Sequence, residues 1–343
     1  MSRALPGAAT GSDREIDRRI LEVFRSNEGV VSGARLSRLL AISRTAVWKH
    51  INTLKSLGYV IEAVPSQGYR LVSVPDLLTS AELSAGLPLQ RIGTRITCLQ
   101  EVDSTNLVAY RLAEQGAVEG TIVIADHQTG GKGRLGRRWE SPAGVNLYCS
   151  VILRPQILPL YAPQLTFVSS VAVVDAILRT TNLQPVIKWP NDVLVNGQKV
   201  AGLLNEMSAE TERVDFLVLG IGVNINMNRE QFPVDLRHPA TSLAIEAGRK
   251  IDRLQFARVL LESLDALYAA YLAEGYEPLR RRWLAHSAVM GRTVRVTSGE
   301  NVVVGVVEGI DEHGGLVLSC AGGRHERVLA GDVAICNEGE ACS

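Results

Sequence analysis

The chain has 343 residues, 46% of them hydrophobic, which is enough apolar material for two or three cores. Its 36 basic and 36 acidic residues balance to zero formal charge, so any contact with nucleic acid has to come from a local excess of cations. No apolar run approaches the length needed to span a bilayer, and residues 1–12 lack the apolar stretch of a secretion signal, so no membrane partner is expected. The five cysteines are odd in number and form no C-x-x-C, for which reduced thiols in the cytoplasm are the simplest account. Six scattered histidines show neither H-x-H nor H-E-x-x-H spacing, so no protein-held metal is expected. The absence of G-x-S-x-G removes the commonest hydrolase signature.

Residues 1–12 are rich in Gly, Ala and Ser and are expected to be disordered. Residues 13–75 read as a separate module. Asp13 can cap a helix carrying Ile16, Ile20, Leu21 and Phe24 at helical spacing, and Ser32-Gly33 starts a second with Leu36, Leu39 and Leu40. Ser43 caps a third helix with Ala46, Val47, His50, Ile51 and Leu54 on its inner side. Gly58–Ile61 and Tyr69–Val72, joined by Pro65-Ser66-Gln67-Gly68, then form a hairpin. Three helices and a hairpin make a winged helix-turn-helix. Ten cations against six acids leave this module an excess of four positive charges. Arg44, Thr45, Lys49, Asn52 and Lys55, on the third helix, are competent to contact phosphates and bases and are the candidate DNA-binding residues.

A second unit is expected over 79–288. Val74-Pro75-Asp76 marks the boundary, and Leu78–Glu82 opens a new helix. Its most informative stretch is Gly131-Lys132-Gly133-Arg134-Leu135-Gly136-Arg137-Arg138-Trp139. Glycines allow close approach of backbone N–H groups, and four cations share the segment, so it is suited to holding an anion. The spacing Gly131-x-Gly133-x-x-Gly136 follows the apolar Thr121–Ala125 and formally satisfies a dinucleotide fingerprint. Ser141-Pro142-Ala143-Gly144 then interrupts the required helix, and no acidic residue follows about 20 positions on. A Walker loop fails as well, because glycine follows Lys132.

Downstream, Lys188-Trp189-Pro190-Asn191-Asp192 joins Val186-Ile187 to Val193-Leu194-Val195 as strand, turn and strand, with Asn196-Gly197 as the next tight turn. Helices are expected over 163–179 and 252–272. In the second, Asp252 and Gln255 can make a capping box, and Ala257, Leu261, Leu264, Tyr268 and Tyr271 share a core face. The third unit, 289–337, has short β runs at 293–297, 302–307, 316–319 and 326–329 separated by glycine-rich turns.

Taken together, the glycine segment and the Lys-Trp-Pro-Asn-Asp motif resemble those of biotin protein ligases. The resemblance continues in order through Glu101–Asn106, Gln128-Thr129, Ser141–Tyr148, Lys199–Gly202 and Gly220–Asn224, covering about residues 95 to 230. With the front module it extends to the bifunctional ligases that also repress transcription. It implies an α+β chain: a winged helix, a mixed sheet with helices of the class II synthetase-like biotin ligase type, and a small SH3-like barrel. It also implies biotin, ATP and nucleotide-borne Mg²⁺ as ligands. The implied partners are a biotin carboxyl carrier domain, operator DNA and a second copy of the chain in a homodimer.

The same resemblance implies roles for individual residues. Lys188 would be the central catalytic cation, with Lys132 and Arg134 clamping the phosphate and Arg137 reaching the pyrophosphate. Ser104, Thr105 and Gln128 would hold the ureido ring, with Asn106 beside them and backbone at Gly131, Gly133 and Gly202 in support. Trp139 would cover the adenine side. Asn191 or Asp192 would stand near the nucleotide-borne metal, and Gly220, Gly222 and Asn224 near the ribose and adenine. Ser104-Thr105-Asn106 is also expected to cap a helix from Leu107.

Two departures stand out. Lys132 occupies a position where arginine is common in the family, retaining charge but losing the planar fork. The C-terminal Gly331-Asp332-Val333 leads to Cys336 where an arginine is common. Other functional classes fit less well. A sensor without catalysis has no need of Lys188, a lipoate or octanoate ligase shares the sheet but not these two motifs, and a dehydrogenase lacks its fingerprint.

Overall fold

A computed structural model of the chain describes residues 11–27, 29–74, 76–236 and 239–336. Helices α1 (Gly11–Arg25), α2 (Gly33–Leu40) and α3 (Arg44–Ser56) precede a hairpin of β1 (Val60–Val64) and β2 (Gly68–Ser73). Ser32 Oγ accepts from Arg35 N and Ser43 Oγ from Ala46 N, the two caps anticipated from sequence. Ile20, Leu21, Leu36, Val47, Ile51 and Leu54 close a small core, each at most 1% exposed. Gly68, at φ +138°, lets the hairpin lie against the start of α2. A Cβ there would stand 2.2 Å from Val31 O, and Tyr69 exchanges backbone hydrogen bonds with Val31.

Three expectations for this module need correction. Helix α1 begins at Gly11, so residues 11 and 12 are helical and Asp13 lies inside the helix rather than at its cap; nothing in the sequence from Gly11 interrupts a helix. The rest of the disordered segment expected over 1–12 lies outside the described residues. Leu39 is 49% exposed, because Leu36 and Leu40, four apart, take the buried face and turn their neighbour outward.

The central unit carries α4 (Ser80–Ser84), β3 (Arg95–Val102), α5 (Thr105–Glu114), β4 (Thr121–Gln128), β5 (Leu147–Leu153), α6 (Gln164–Thr180), β6 (Pro185–Lys188), β7 (Asp192–Val195), β8 (Gln198–Glu210), β9 (Arg213–Val223), α7 (Leu243–Ala247), α8 (Arg253–Glu274) and α9 (Tyr276–Ala285). Its seven strands form one sheet in the order β3-β4-β5-β9-β8-β7-β6, parallel at β3/β4 and antiparallel elsewhere. Helix α5 covers one face through Ala109 and Ala113 against Val123, Ile152, Phe216 and Val218. Helices α6 and α8 cover the other, with Ala257, Leu261, Leu264, Tyr268 and Tyr271 in the core as their spacing requires. Each fully buried aliphatic side chain there contributes about 1.5–3 kcal/mol. Asp252 caps α8 by accepting from Gln255 N, which is half of the capping box expected.

One segment, Pro159–Thr180, is long and apolar enough to cross a membrane by length and composition, contrary to the sequence expectation. It ends in α6, whose apolar surface is buried between the sheet, α8 and α9, so its composition reflects a core position.

The last unit contains β10 (Thr293–Ser298), β11 (Asn301–Ile310), β12 (Leu316–Ser319), β13 (His325–Val328) and β14 (Asp332–Ile335) as an antiparallel sheet in the order β13-β12-β11-β10-β14. Four of these strands match the β runs in the sequence, and β14 is an addition. Its pairing with β10 brings Asp332 to the ligand side of the molecule. Cys98, Cys149 and Cys320 take part in no disulfide, whereas Cys336 is disulfide-bonded, so the expectation of reduced thiols throughout fails just beyond β14.

Candidate active site

Sheet register builds the site. Tyr148 on β5 pairs with Gly222 on β9, Gly222 with Gly202 on β8, Gly202 with Asp192 on β7, and Asp192 with Lys188 on β6. One row across the sheet thus carries the tyrosine, both glycines and the lysine to a single cavity. Side chains alternate along a strand, so the neighbouring row of Ser150, Gly220 and Leu204 faces the same way.

The glycines keep this face open. A Cβ on Gly222 would lie 2.7 Å from the Trp139 indole, one on Gly202 2.9 Å from it, and one on Gly220 2.3 Å from Asn106 Oδ1. Trp139 therefore rests directly on the strands. Lys199 Nζ stands 5.3 Å from its ring centroid and 2.5 Å from Asp192 Oδ1. The Trp139 indole N–H is buried without an acceptor, which marks it as a donor available to a ligand.

A chain of polar side chains crosses the floor. Gln128 Oε1 accepts from Thr105 N at 2.8 Å and Thr105 Oγ1 at 3.1 Å, while Gln128 Nε2 donates to Ser141 Oγ at 2.9 Å. Ser150 Oγ bridges Thr105 Oγ1 and Asn106 Oδ1, and Asn106 Nδ2 donates to Leu204 O and Glu206 Oε2. These mutually satisfied bonds fix the orientation of each amide. Helix α5 starts at Thr105, two residues before the expected Leu107. Ser104 is its N-cap residue, but its side chain makes no cap bond, and the first helical N–H, that of Thr105, goes to Gln128.

The glycine segment is a tight reversal following β4, closed by Trp139 N to Gly131 O at 2.9 Å and Gly133 N to Arg137 O at 2.7 Å. Only a single 3-10 turn over Arg134–Gly136 forms there and no α-helix opens, unlike a dinucleotide fingerprint. Gly131 packs too closely for any side chain, its Cβ position lying 2.5 Å from Trp139 O, and it lies beneath the cavity rather than lining it. Arg134 Nη1 donates to Asn191 Oδ1 at 3.3 Å and Gly331 O at 3.4 Å, and Arg137 is ion-paired with Asp332. Burial is the main influence on the Arg134 guanidinium and pulls it below its usual value, against the pull of Asp332 and Asp192. It stays cationic at neutral pH.

Seventeen site residues were expected, and fifteen line the cavity: Lys188, Lys132, Arg134, Ser104, Thr105, Asn106, Gln128, Gly133, Arg137, Trp139, Asn191, Asp192, Gly202, Gly220 and Gly222. Besides Gly131, the exception is Asn224. It is 4% exposed, its Nδ2 donates to Thr241 O, and its backbone bonds Val200 and Leu243, so it ties β9 to the following loop. Sequence reasoning assigned no role to Lys199, Leu204, Leu236, Ala240 or Asp332, all of which line the cavity. Only the alternation along β8 could have revealed Leu204. Six cationic side chains and two carboxylates face the cavity, so it favours a polyanion.

On the front module, Arg44, Thr45, Lys49 and Lys55 are exposed and Asn52 is half-buried, none of them part of the buried stripe of Val47, Ile51 and Leu54. His50 Nδ1 lies 2.8 Å from Asp17 Oδ1, an internal polar tie between α3 and α1.

A cationic, glycine-floored cavity on a mixed sheet, behind a winged helix, defines a protein that joins a polyanion-binding unit to a helix-turn-helix module. Residues 98–224 match the biotin/lipoate A/B protein ligase family, 17–70 an HTH domain and 289–335 the biotin protein ligase C-terminal domain. The bifunctional ligase/repressor BirA of Bacillus subtilis is 40% identical over 300 residues, covering 87% of this chain and 92% of that protein. The Escherichia coli protein of the same name is 33% identical, covering 84% and 87%. Among solved structures, the biotin protein ligase from Aquifex aeolicus in complex with biotin and ATP is 30% identical with a TM-score of 0.62, covering 71% of this chain and 99% of that one. The chain belongs to the bifunctional biotin ligase/repressor family.

Proposed function

We propose that the chain joins biotin to a lysine of a biotin carboxyl carrier domain in two steps, and that the same ligand controls its binding to an operator. The supporting observation is the convergence of Lys188 and the cationic glycine segment on one cavity. In the first step a biotin carboxylate oxygen attacks the α-phosphorus of ATP. An O–P bond forms, the bond to the β-phosphate oxygen breaks, and pyrophosphate leaves with biotinoyl-5′-AMP retained. Carboxylate and triphosphate repel each other, and charge gathers on the α-phosphoryl oxygens in the transition state, so fixed cations lower the barrier. Lys188 is placed between carboxylate and α-phosphate, while Lys132 and Arg134 clamp the phosphate. Arg137 exchanges Asp332 for the outgoing pyrophosphate. No protein base is required, since the nucleophile is already ionised near neutral pH.

Thr105 and Gln128, with Ser104, receive the ureido ring, and Asn106 braces them. Trp139 covers the adenine side, its buried N–H available to the ligand, with Gly133, Gly202, Gly220 and Gly222 allowing close approach. In the second step the carrier lysine's neutral amine attacks the acyl carbon, an amide forms, and AMP leaves with the proton lost to solvent.

Mg²⁺ does not fit as a resident ion. The cavity carboxylates Asp192 and Asp332 are already ion-paired with Lys199 and Arg137, and Asn191 bonds Leu203 O and Arg134. The ion belongs to the nucleotide and is assigned no step here.

Biotinoyl-AMP would strengthen a homodimer and so place paired winged helices on a two-fold operator, in the cytoplasm, where ATP is available. Pyrophosphate release with ATP and biotin, lipoate or octanoate, followed by transfer to a carrier lysine, tests the enzyme. Release with lipoate and not biotin would overturn the substrate. Operator affinity unchanged by biotin plus ATP at fixed salt would overturn the coupling.

A further inference from the structure

Among the described residues, Trp48 is the one aromatic side chain in the set of exposed large hydrophobics, at 59% exposure. Trp189 and Trp283 are 2% and 0% exposed, and Trp139 rests on the ligand-site strands. Trp48 packs into no core. Leaving an indole in water forgoes several kcal/mol of burial, which a partner surface would recover.

The surroundings indicate which partner. Trp48 lies one helical turn after Arg44 and one turn before Asn52 on α3, on the exposed flank roughly a quarter turn from the buried stripe of Val47, Ile51 and Leu54. The sequence contains no acidic residue between Glu28 and Glu62, a span that holds Arg35, Arg38, Arg44, Lys49 and Lys55. Glu62 is itself bonded to Arg70 at 2.7 Å. An apolar ring amid uncompensated cations suits a polyanion that also presents apolar features, and a second copy of the same module would bring like charge. In the major groove the apolar feature is the thymine C5-methyl group.

We propose that Trp48 is a specificity-determining residue: its indole packs on a thymine methyl in the major groove while Arg44, Lys49 and Lys55 hold the flanking phosphates. This rests on the DNA-binding reading above and adds a direct apolar readout to it.

Full-length protein with biotin and ATP would select duplexes from a random pool. In the selected duplex each thymine is then replaced singly by deoxyuridine, which lacks the methyl. For the wild type, one replacement per half-site should weaken binding about fourfold, the value of burying one methyl. Trp48→Ala should bind the parent duplex about tenfold more weakly and become indifferent to that replacement, with pyrophosphate release unchanged. Lys49→Ala should weaken both duplexes equally and reduce the salt slope by about one. Wild type insensitive to every thymine replacement, or Trp48→Ala still sensitive, overturns the inference while leaving DNA binding intact. Unaltered DNA affinity with impaired self-association of Trp48→Ala overturns it in favour of a protein contact. Failure of the wild type to select any duplex removes the DNA-binding reading and this inference with it.

Discussion

Arg253 and Asp76 meet at 2.8 Å, and the guanidinium is completely buried. Asp76 lies in the connection between the winged helix and the sheet, and Arg253 opens α8. The same guanidinium donates to Asp76 O, Asn146 O and Asp126 Oδ1, so one cation binds the linker to the end of β4 that carries Gln128. Arg25 of α1 adds a second tie by pairing with the buried Glu82 of α4. The DNA module is therefore joined to the ligand unit through desolvated charge.

Asp76→Asn should destabilise the protein at pH 7. The carboxyl is 33% exposed, so the loss is about 1–2 kcal/mol, below that of a fully buried pair. Burial alone would raise its pKa, but hydrogen bonds from Arg253 and Lys250 outweigh that and hold it below the usual value. A depressed carboxyl contributes stability above its unfolded pKa and loses it as pH falls through the folded one. The gap between variant and wild type in urea melts should therefore narrow below about pH 4. A gap independent of pH would exclude this electrostatic origin.

Lys188→Ala should reduce biotin-dependent pyrophosphate release by about 10²–10³-fold. The fold should persist, because the lysine lines the cavity at a strand end. Near-normal release from the variant would mean that another cation performs the role.

Replacing Arg134 by alanine removes the bonds to Asn191 and Gly331 O that close the glycine segment over the cavity. Adenylate escape, read as biotinylation of bystander lysines, should rise about tenfold, equivalent to one lost charge-assisted hydrogen bond. If escape were unchanged, the segment would not be the barrier retaining the adenylate.

For Gly222→Ala, the new Cβ would lie 2.7 Å from the Trp139 indole. The indole must move, so KM for biotin should rise about tenfold with a measurable change in tryptophan emission. Unaltered KM and emission would show that Trp139 moves without cost.

Much of the plan was legible in the chain. The winged helix was legible because its apolar spacing and its Ser caps are local signals, and local signals are carried by the residues next to them. The glycine segment was legible because an anion site needs cations and bare backbone in a short run, whereas Lys188, which alone reads as an edge lysine of a hairpin, was picked out through the family resemblance of its motif. Asn224 falls outside the cavity lining, because an asparagine beside glycines looks the same in sequence whether it faces a ligand or, as here, donates to the Thr241 carbonyl.

Sequence alone thus determined the three units, most of their elements and the chemistry of the ligand, since periodicity, capping and charge act within a few residues. Tertiary structure decided the rest. Strand register placed Lys188, Gly202, Gly222 and Tyr148 in one row, and β14 delivered Asp332 to Arg137 across nearly two hundred residues. Buried Arg253 chose Asp76 and Asp126 as partners. A desolvated charge must find its counterpart wherever the fold brings one, and sequence distance does not encode that choice.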